Sequence, residues 1–198
     1  MKNTLVFILI PIMLSACSAL MTGGAEVTGL SVLHDRRTSK ALLIDERIEI
    51  NAGIELNAHD DIRSKCHFNV TAYNGTVLVT GEAPTEKLRQ KIISIIQTIS
   101  GVKLIHNEIK VAPLSSFSTR AHDTLITAKV KSSLSNVKNL PGFDATRVKV
   151  ITENGVVYLL GLVHKNEGLV ATEIARRETG VKQVVKIFEI IDYRQKQK

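Results

Sequence analysis

Few side chains in this sequence have the types and spacing that catalysis or metal binding requires. The six histidines are scattered and form no H-x-x-H or H-E-x-x-H spacing, and the chain has no C-x-x-C. Cys66 and His67 are adjacent in a strand-like stretch, so their side chains point to opposite faces and cannot act as nucleophile and base. Neither G-x-S-x-G nor a P-loop is present. We therefore expect no enzymatic activity, no cofactor and no metal site.

The other candidates for chemistry are four carboxylates and one thiol. Asp60 and Asp61 are expected in the loop after the first helix. Glu108 and Glu153 lie in or beside predicted strands and have no partner that the sequence identifies. We expect Cys66 to be buried and unpaired rather than reactive.

The first residues have the features of a secretion signal. Lys2 precedes an apolar run at 5–14, which is shorter than the roughly 20 residues that span a bilayer. The segment 14–17, Leu-Ser-Ala-Cys, resembles the bacterial lipobox. This resemblance implies that residues 1–16 are a signal peptide and that Cys17 is diacylated, which is sufficient for stable anchoring. The alternative is an ordinary cleaved signal with an incidental cysteine.

Residues 17–39 are predicted to be the lipidated Cys17 and a flexible tether. Much of the segment is rich in Gly, Ser, Thr and Ala and has no sustained hydrophobic period. In bacterial lipoproteins the residue after the acylated cysteine influences sorting. Ser18 occupies that position instead of Asp. By that rule the protein faces the periplasm from the outer membrane of a Gram-negative bacterium.

An internal repeat organises the remainder of the chain. Residues 68–81 and 148–161 each read as an alternating strand, Asn-Gly, a second alternating strand and Gly, at a constant offset of 80 residues. Alternation of this length predicts half-buried strands, and Asn-Gly between them favours a type I′ turn. The sequence therefore predicts two β-hairpins.

A helix is predicted before each hairpin. In the second copy the apolar residues at helical spacing are Ile126, Val130, Leu134 and Val137. Asp123 or Thr124 is the expected N-cap of that helix. In the first copy, Ile50 and Ile54 align at the same offset with the second and third of these residues. The repeat therefore favours a helix there, although Ile48-Glu49-Ile50 alternates like a strand.

A second helix and a third strand are predicted after each hairpin. Pro84 suits the first turn of the helix in the first copy, and Gly101 suits its C-terminal end. The third strands are expected at 102–111 and 181–191. The order is then α-β-β-α-β, twice. Right-handed crossovers place both helices on one face of a three-stranded mixed sheet, which is an α+β fold.

This duplicated unit resembles the BON domain of bacterial periplasmic and outer-membrane proteins. The resemblance is closest at 69–75, at 123–130, and at 152–155 with 161–163. Two BON domains behind a lipobox resemble the DolP family of division- and outer-membrane-stress-associated lipid-binding lipoproteins. The resemblance implies that the second domain binds anionic phospholipid, that the protein supports outer-membrane integrity, and that it is not an enzyme. It also suggests a role at the division site.

The predicted organisation has six parts. They are the signal peptide (1–16), the lipidated cysteine and tether (17–39), BON domain 1 (40–112), a linker (113–118), BON domain 2 (119–192) and a basic tail (193–198). We call residues 40–112 the first repeat and residues 119–192 the second repeat.

The positive charge is concentrated in the C-terminal half. Residues 40–112 contain nine basic and nine acidic residues, whereas residues 119–198 contain fourteen and eight, a net charge of +6 out of the chain total of +7. Such asymmetry points to an anionic partner for one half. Each basic residue contributes roughly 1 kcal/mol near an anionic membrane. The alternative is a basic surface that is merely solvated.

One predicted helix of the second repeat is the candidate lipid-binding element. Its expected phospholipid-binding residues are Arg120, Leu125, Ala128, Lys129, Lys131 and Ser132. An exposed Leu beside lysines is typical of an interfacial helix. Members of the resembled family can carry Trp at the position of Leu125. The alternative is that Leu125 packs against the first repeat or the linker.

Two other partner classes follow from the same observations. Nucleic acid is not expected, because the chain has a secretion signal and its basic residues are not accompanied by stacking aromatics. An envelope protein partner remains an alternative. In that case the BON pair is a scaffold that contacts peptidoglycan, the β-barrel assembly machinery or a division factor.

Overall fold

The computed structural model describes residues 35–192. The predictions for the signal peptide, for Cys17, for the tether as far as residue 34 and for the basic tail at 193–198 lie outside the described residues.

The first repeat contains one mixed sheet with helices on one of its faces. Its elements are α1 (Ser39–Asn57), α2 (Asp60–Lys65), β1 (His67–Tyr73), β2 (Thr76–Ala83), α3 (Glu86–Gln97) and β3 (Leu104–Val111). The sheet order is β1-β2-β3. The hairpin strands β1 and β2 are antiparallel, and the crossover through α3 makes β2 and β3 parallel.

The second repeat has the same topology. Its elements are α4 (Phe117–Ser135), a 3₁₀ turn (Ala145–Arg147), β4 (Lys149–Glu153), β5 (Val156–Val163), α5 (Lys165–Arg177) and β6 (Gln183–Ile190). The sheet order is β4-β5-β6, with an antiparallel hairpin followed by a parallel pair. The predicted fold class, two tandem α+β units with helices on one face of a mixed sheet, is confirmed.

Both predicted hairpins turn at Asn-Gly with positive φ at both residues. The φ angles are 53° and 80° at Asn74 and Gly75, and 52° and 78° at Asn154 and Gly155. Asn and Gly tolerate the left-handed region better than other residues, so a type I′ turn forms at little cost.

A buried aspartate from the preceding helix holds each turn. Asp45 of α1 accepts hydrogen bonds from the backbone N–H groups of Asn74 and Gly75, at 2.7 and 2.8 Å. Asp123 of α4 accepts from the two equivalent N–H groups of the second turn, both at 2.8 Å. The two carboxylates therefore make equivalent contacts in the two repeats, and each one fixes a hairpin to the preceding helix.

The prediction that Asp123 or Thr124 is the N-cap of α4 is wrong. The helix begins at Phe117, inside the segment predicted as linker, and its N-cap is Ser116. The Ser116 hydroxyl accepts from the backbone N–H of Thr119 at 3.1 Å, which satisfies a donor of the first turn. Asp123 lies about two turns after Ser116, where its carboxylate reaches the hairpin.

The first predicted helix is confirmed, but its alignment with the second repeat was wrong by two residues. The buried face of α1 contains Ile48, Ala52 and Leu56, whereas Ile50 and Ile54 are 53% and 62% exposed. The aspartate-to-turn separation is 30 residues in the first repeat and 32 in the second. The second repeat therefore has two extra residues between its helix and its hairpin, and the helices align at an offset of 78.

Several element boundaries also differ from the predictions. Asp60 and Asp61 do not lie in a loop but begin α2, an additional short helix. Pro84 precedes the N-cap of α3, Thr85, instead of lying in the first turn. The third strands are shorter than predicted, since β3 begins at Leu104 and β6 spans Gln183–Ile190.

Each repeat has its own apolar core between its helices and its sheet. The first core combines Ile48 and Leu56 of α1 with Val77 and Val79 of β2. The second combines residues such as Ile126 and Val130 of α4 with the equivalent strand positions. Cys66 is a free cysteine at the edge of the first core and is only partly buried. Burial raises the pKa of its thiol, which disfavours the reactive thiolate.

A third apolar cluster joins the two sheets. Its buried members are Tyr73 and Leu78 from the first repeat and Val156, Tyr158, Leu160 and Ile187 from the second. The central strands β2 and β5 are accordingly buried on both faces along nearly their whole length. The helix-free faces of the two sheets pack against each other, and the two repeats form one body.

Candidate functional site

The candidate lipid-binding helix α4 is held in a fixed orientation by its buried face. Ile126, Val130 and Leu134 are at most 1% exposed, and they pack into the core of the second repeat. Together with Asp123, they fix which side of α4 faces solvent.

Four of the six predicted phospholipid-binding residues lie on the solvent face of α4. Leu125, Ala128, Lys129 and Ser132 are all exposed, at the i, i+3, i+4 and i+7 spacing of one helical face. Leu125 is 59% exposed, which argues against the alternative that its side chain packs on the first repeat or the linker.

The structure adds Phe117 to this face. Its side chain is 81% exposed at the first position of α4. Phe117, Ala121, Leu125 and Ala128 follow the i, i+4, i+8, i+11 spacing, and we call them the outer stripe. Sequence reasoning missed Phe117 because it began the helix near Asp123. The signal that was present is Ser116, a favourable N-cap directly before Phe117.

The remaining two predicted residues lie on a different side of α4. Arg120 and Lys131, together with Thr124 and Thr127, line a cleft of about 320 Å³ that is also lined by residues of β1 and β4. Arg120 is partly buried, and its Nη1 donates to the carbonyl of Ser115 at 2.8 Å. The six predicted residues therefore divide into an outward group of four and a cleft group of two.

A cluster of three titratable side chains lies at this cleft. His67 of β1, Glu82 of β2 and Glu153 of β4 place one ligand atom each within 4.8 Å of one another. The Nδ1 atom of His67 is 3.2 Å from the Oε2 atom of Glu82 and 3.8 Å from the Oε1 atom of Glu153. Both carboxylates are more than nine-tenths buried.

The two buried carboxylates have different surroundings. Glu82 accepts from the backbone N–H and the hydroxyl of Ser115 at 3.3 and 3.2 Å, and from the side-chain amide of Asn154. Glu153 accepts from the hydroxyl of Thr80 at 3.2 Å. Burial raises the pKa of Glu153; the nearby His67 opposes this rise and the negative charge of Glu82 adds to it.

Glu153 and Glu108, for which the sequence identified no partner, each accept a hydrogen bond from a residue of the other repeat. Glu153 of the second repeat bonds Thr80 of the first, and Glu108 of the first accepts from the Tyr158 hydroxyl at 3.4 Å. Burial, followed by the charge of Glu108, raises the pKa of Tyr158. Spacing within one repeat could not indicate these pairs, because they form only when the two sheets pack together.

Further polar contacts join the two repeats. Lys149 donates to Glu49 at 2.8 Å, and the Asn74 side chain donates to Glu189 at 2.7 Å. The backbone N–H of Leu162 donates to the Tyr73 hydroxyl at 3.3 Å. These contacts surround the apolar cluster between the sheets and orient one repeat relative to the other.

The residues directly before α1 lie against both repeats. Arg36 donates to Glu167 of α5 at 2.5 and 2.9 Å and to the carbonyl of Leu162 at 3.1 Å. The neighbouring Arg37 donates to Asp45 at 2.9 Å and stacks on the ring of Tyr73, 3.9 Å from its centroid. Part of the segment predicted as tether is therefore bound to the folded body.

Further basic side chains line a groove of about 550 Å³ between α5 and β6. Its cationic residues are Arg176, Lys182 and Lys186. Lys182 donates to the carbonyl of Asn154 at 3.0 Å, and Arg176 pairs with Glu173 at 3.2 Å. Two of the three cations are therefore already engaged.

Within residues 35–192 no helix is both long and apolar enough to cross a bilayer.

Comparison with known proteins identifies the repeats. Residues 45–113 and 122–192 each match the BON domain family. The chain is 34% identical to the outer membrane lipoprotein DolP of Haemophilus influenzae over 184 residues, which cover 91% of this chain and 92% of that protein. It is also 34% identical to the 21 kDa hemolysin of Actinobacillus pleuropneumoniae, over 79% of each chain.

Among solved structures, the C-terminal domain of CdsD from the type III secretion system of Chlamydia trachomatis matches 75% of this chain and 67% of its own length. The identity is 14% and the TM-score 0.29, a value too low to inform fold or function. The BON matches cover most of the chain, and the Haemophilus relative aligns over nearly its whole length. This chain therefore belongs to the dual-BON, DolP-like family of outer membrane lipoproteins.

Proposed function

We propose that the second repeat of this outer membrane lipoprotein binds anionic phospholipid through α4 and thereby supports outer-membrane integrity, with the division site as one place of action. The observation that carries the proposal is the outer stripe, an exposed apolar row that begins with an aromatic residue and is flanked by lysines. Lipidation of Cys17 remains part of the proposal, as the permanent anchor that brings α4 close to the membrane.

The outer stripe supplies the apolar part of the interaction. Fully burying a Phe or Leu side chain contributes about 1.5–3 kcal/mol. Phe117 is 81% exposed and Leu125 is 59% exposed, so most of each side chain is available to enter the interface. Scaled by exposure, the two contribute about 2 and about 1.5 kcal/mol when inserted. Phe117 also supplies an aromatic side chain, as family members with Trp at the position of Leu125 do.

The basic side chains supply the electrostatic part. Lys129 is exposed next to the outer stripe, and Lys131 and Arg120 lie on the cleft side of the same helix. At roughly 1 kcal/mol for each basic residue near an anionic membrane, Lys129 and Lys131 contribute about 2 kcal/mol together. An acyl anchor at Cys17 raises the local lipid concentration, so that this modest affinity suffices.

Co-sedimentation with liposomes tests the proposal. Residues 18–198, which lack the acyl group, are mixed with anionic or zwitterionic vesicles. We expect binding to anionic vesicles only, and weaker binding as salt shortens the Debye length. Lys129→Glu with Lys131→Glu removes two favourable contacts and adds two repulsive ones, so binding falls by at least about 30-fold. Phe117→Ala weakens binding by about 30-fold and Leu125→Ala by about tenfold.

The first repeat offers matched controls. Leu43 of α1 is 58% exposed, almost the same as Leu125, so Leu43→Ala removes an equivalent apolar surface from the other repeat. Lys65→Glu with Lys87→Glu reverses two exposed charges there. Both controls should bind anionic vesicles like the parent chain. Equal losses in control and test variants would contradict the role of α4, and no binding to either vesicle type would leave Cys17 as the sole membrane contact.

A second function has its own structural support. Leu43, Ile50 and Ile54 form an exposed apolar row along α1 at the i, i+7, i+11 spacing, on a repeat with no net charge. An uncharged apolar row is suited to an envelope protein, such as a component of β-barrel assembly or division, and less suited to an anionic surface. Ile50→Asp with Ile54→Asp would abolish such a protein contact while leaving vesicle binding unchanged.

A further inference from the structure

The cluster of His67, Glu82 and Glu153 contains one carboxylate oxygen that is available to a ligand. The Oε1 atom of Glu153 receives no hydrogen bond from any residue in the described part of the chain, although the Glu153 side chain is only 8% exposed. The Nδ1 atom of His67, at 3.8 Å, is too far away for a hydrogen bond. Glu153 lines the open cleft, so an ion or a water molecule in the cleft can reach this oxygen.

The spacing of the three groups is close to that of metal ligands. Ligands that bind Zn²⁺ tetrahedrally at about 2.0–2.2 Å lie about 3.3–3.5 Å from one another. The Nδ1 atom of His67 is 3.2 Å from Glu82 and 3.8 Å from Glu153, so the observed distances lie on either side of this value. All three ligand atoms lie within 4.8 Å of one another, so side-chain adjustments would bring them onto one ion.

Charge and donor type also fit a divalent cation. Two carboxylates and one neutral imidazole carry two negative charges, which a divalent ion neutralises. One nitrogen and two carboxylate oxygens form a ligand set that Zn²⁺ accepts, with water in the fourth position. Mn²⁺ and Fe²⁺ stand low in the affinity order of divalent ions, so they bind such a set less tightly than Zn²⁺ does.

The surroundings provide both an outer shell and an access route. Thr80 donates to Glu153, and Ser115 and the amide of Asn154 donate to Glu82, so both carboxylates are oriented by neighbours. His67 and Glu153 line the open cleft of about 320 Å³, through which an ion and its remaining water ligand reach the cluster.

We propose that His67, Glu82 and Glu153 form a divalent-cation site between the two repeats, best suited to Zn²⁺. The inference is independent of lipid binding. His67 and Glu82 belong to the first repeat and Glu153 to the second, so the ion links the two repeats and stabilises their packing. Sequence spacing gave no indication of a metal site, because the three ligands come from three strands and meet only when the sheets pack.

Zinc binding by the full chain in detergent tests the proposal. Protein freed of metal with EDTA is titrated with ZnCl₂ by calorimetry, and its thermal unfolding is followed by far-UV circular dichroism with and without Zn²⁺. We expect one equivalent of Zn²⁺ to bind and to raise the Tm, and EDTA to reverse the rise. His67→Gln and Glu153→Gln remove one ligand each, so the affinity should fall by at least about 100-fold, a loss that even outer-shell partners can cause.

Controls separate this site from adventitious binding by other zinc ligands. His122→Gln removes an exposed histidine of α4 and Cys66→Ser removes the thiol; both should bind Zn²⁺ like the parent chain. Dichroism spectra of the metal-free variants establish that each one folds. The proposal is overturned if the parent chain binds no Zn²⁺, or if folded His67→Gln and Glu153→Gln proteins bind it with unchanged affinity.

Discussion

Replacing Asp123 with Asn tests whether the helix-to-turn contact organises the second repeat. Asp123 is 5% exposed, and its two carboxylate oxygens accept from two backbone N–H groups at 2.8 Å. Asn keeps one acceptor oxygen but turns an NH₂ group toward the other N–H. The variant therefore loses one charge-assisted hydrogen bond and leaves a buried donor unsatisfied, a loss of about 2–4 kcal/mol.

Urea and thermal unfolding monitored by far-UV circular dichroism measure this loss. If the two packed repeats unfold together, about 2–4 °C per kcal/mol corresponds to a Tm lowered by roughly 5–15 °C. Asp45→Asn should destabilise the chain at least as much, because Asp45 also pairs with Arg37 at 2.9 Å. The control is Asp60→Asn, which removes only an exposed ion pair with Arg63 and should change stability by less than about 0.5 kcal/mol. If the stability of Asp123→Asn lies within about 0.5 kcal/mol of the parent, the two hydrogen bonds accepted by Asp123 do not hold the turn.

Three further predictions concern the contacts between and within the sheets. Burial raises the pKa of Glu153 above its ordinary 4.5, so Glu153 contributes to the free energy of unfolding below pH 4.5, and this contribution is lost as the pH rises through the higher folded-state pKa. In EDTA, the free energy of unfolding in urea should therefore fall less between pH 4.5 and pH 7.5 for Glu153→Gln than for the parent. Equal falls would contradict this expectation. Gly81→Ala should cost at least about 2 kcal/mol in urea unfolding, because φ is +121° there and a Cβ atom would lie 2.1 Å from the carbonyl oxygen of His67; a neutral result would show that β2 can shift. Leu78→Ala should cost about 2–4 kcal/mol in the same assay, since Leu78 is 1% exposed in the cluster between the sheets, and a loss below about 1 kcal/mol would argue against a packed interface.

Local sequence patterns were sufficient to predict most of the fold. Asn74-Gly75 and Asn154-Gly155 determine their turns by the φ angles they tolerate, and the internal repeat correctly favoured a helix around Ile50 over a strand. The alignment of that helix failed because the 80-residue offset applies to the hairpins only. The buried Asp45 and Asp123 align the two helices correctly, because each carboxylate must reach the backbone N–H groups of its own turn.

The candidate site was harder to predict because it depends on boundaries and on contacts between repeats. Leu125 and three other residues of α4 were correctly predicted to share one exposed face, because helical periodicity alone determines that face. Phe117 was missed because the capping role was given to Asp123 instead of Ser116. No local pattern predicts that Glu82 and Glu153 lie close together, because they meet only when the two sheets pack against each other.

Locating the membrane contact residue by residue tests whether α4 is the element that binds lipid. Backbone amide resonances of residues 18–198 are recorded by NMR with anionic nanodiscs that contain a spin-labelled lipid. We expect paramagnetic broadening along the outward side of α4, at Phe117, Leu125 and Lys129, and none along α1 near Leu43 and Ile54. Broadening along α1, or equal broadening with zwitterionic nanodiscs, would contradict the proposal that the second repeat recognises anionic phospholipid.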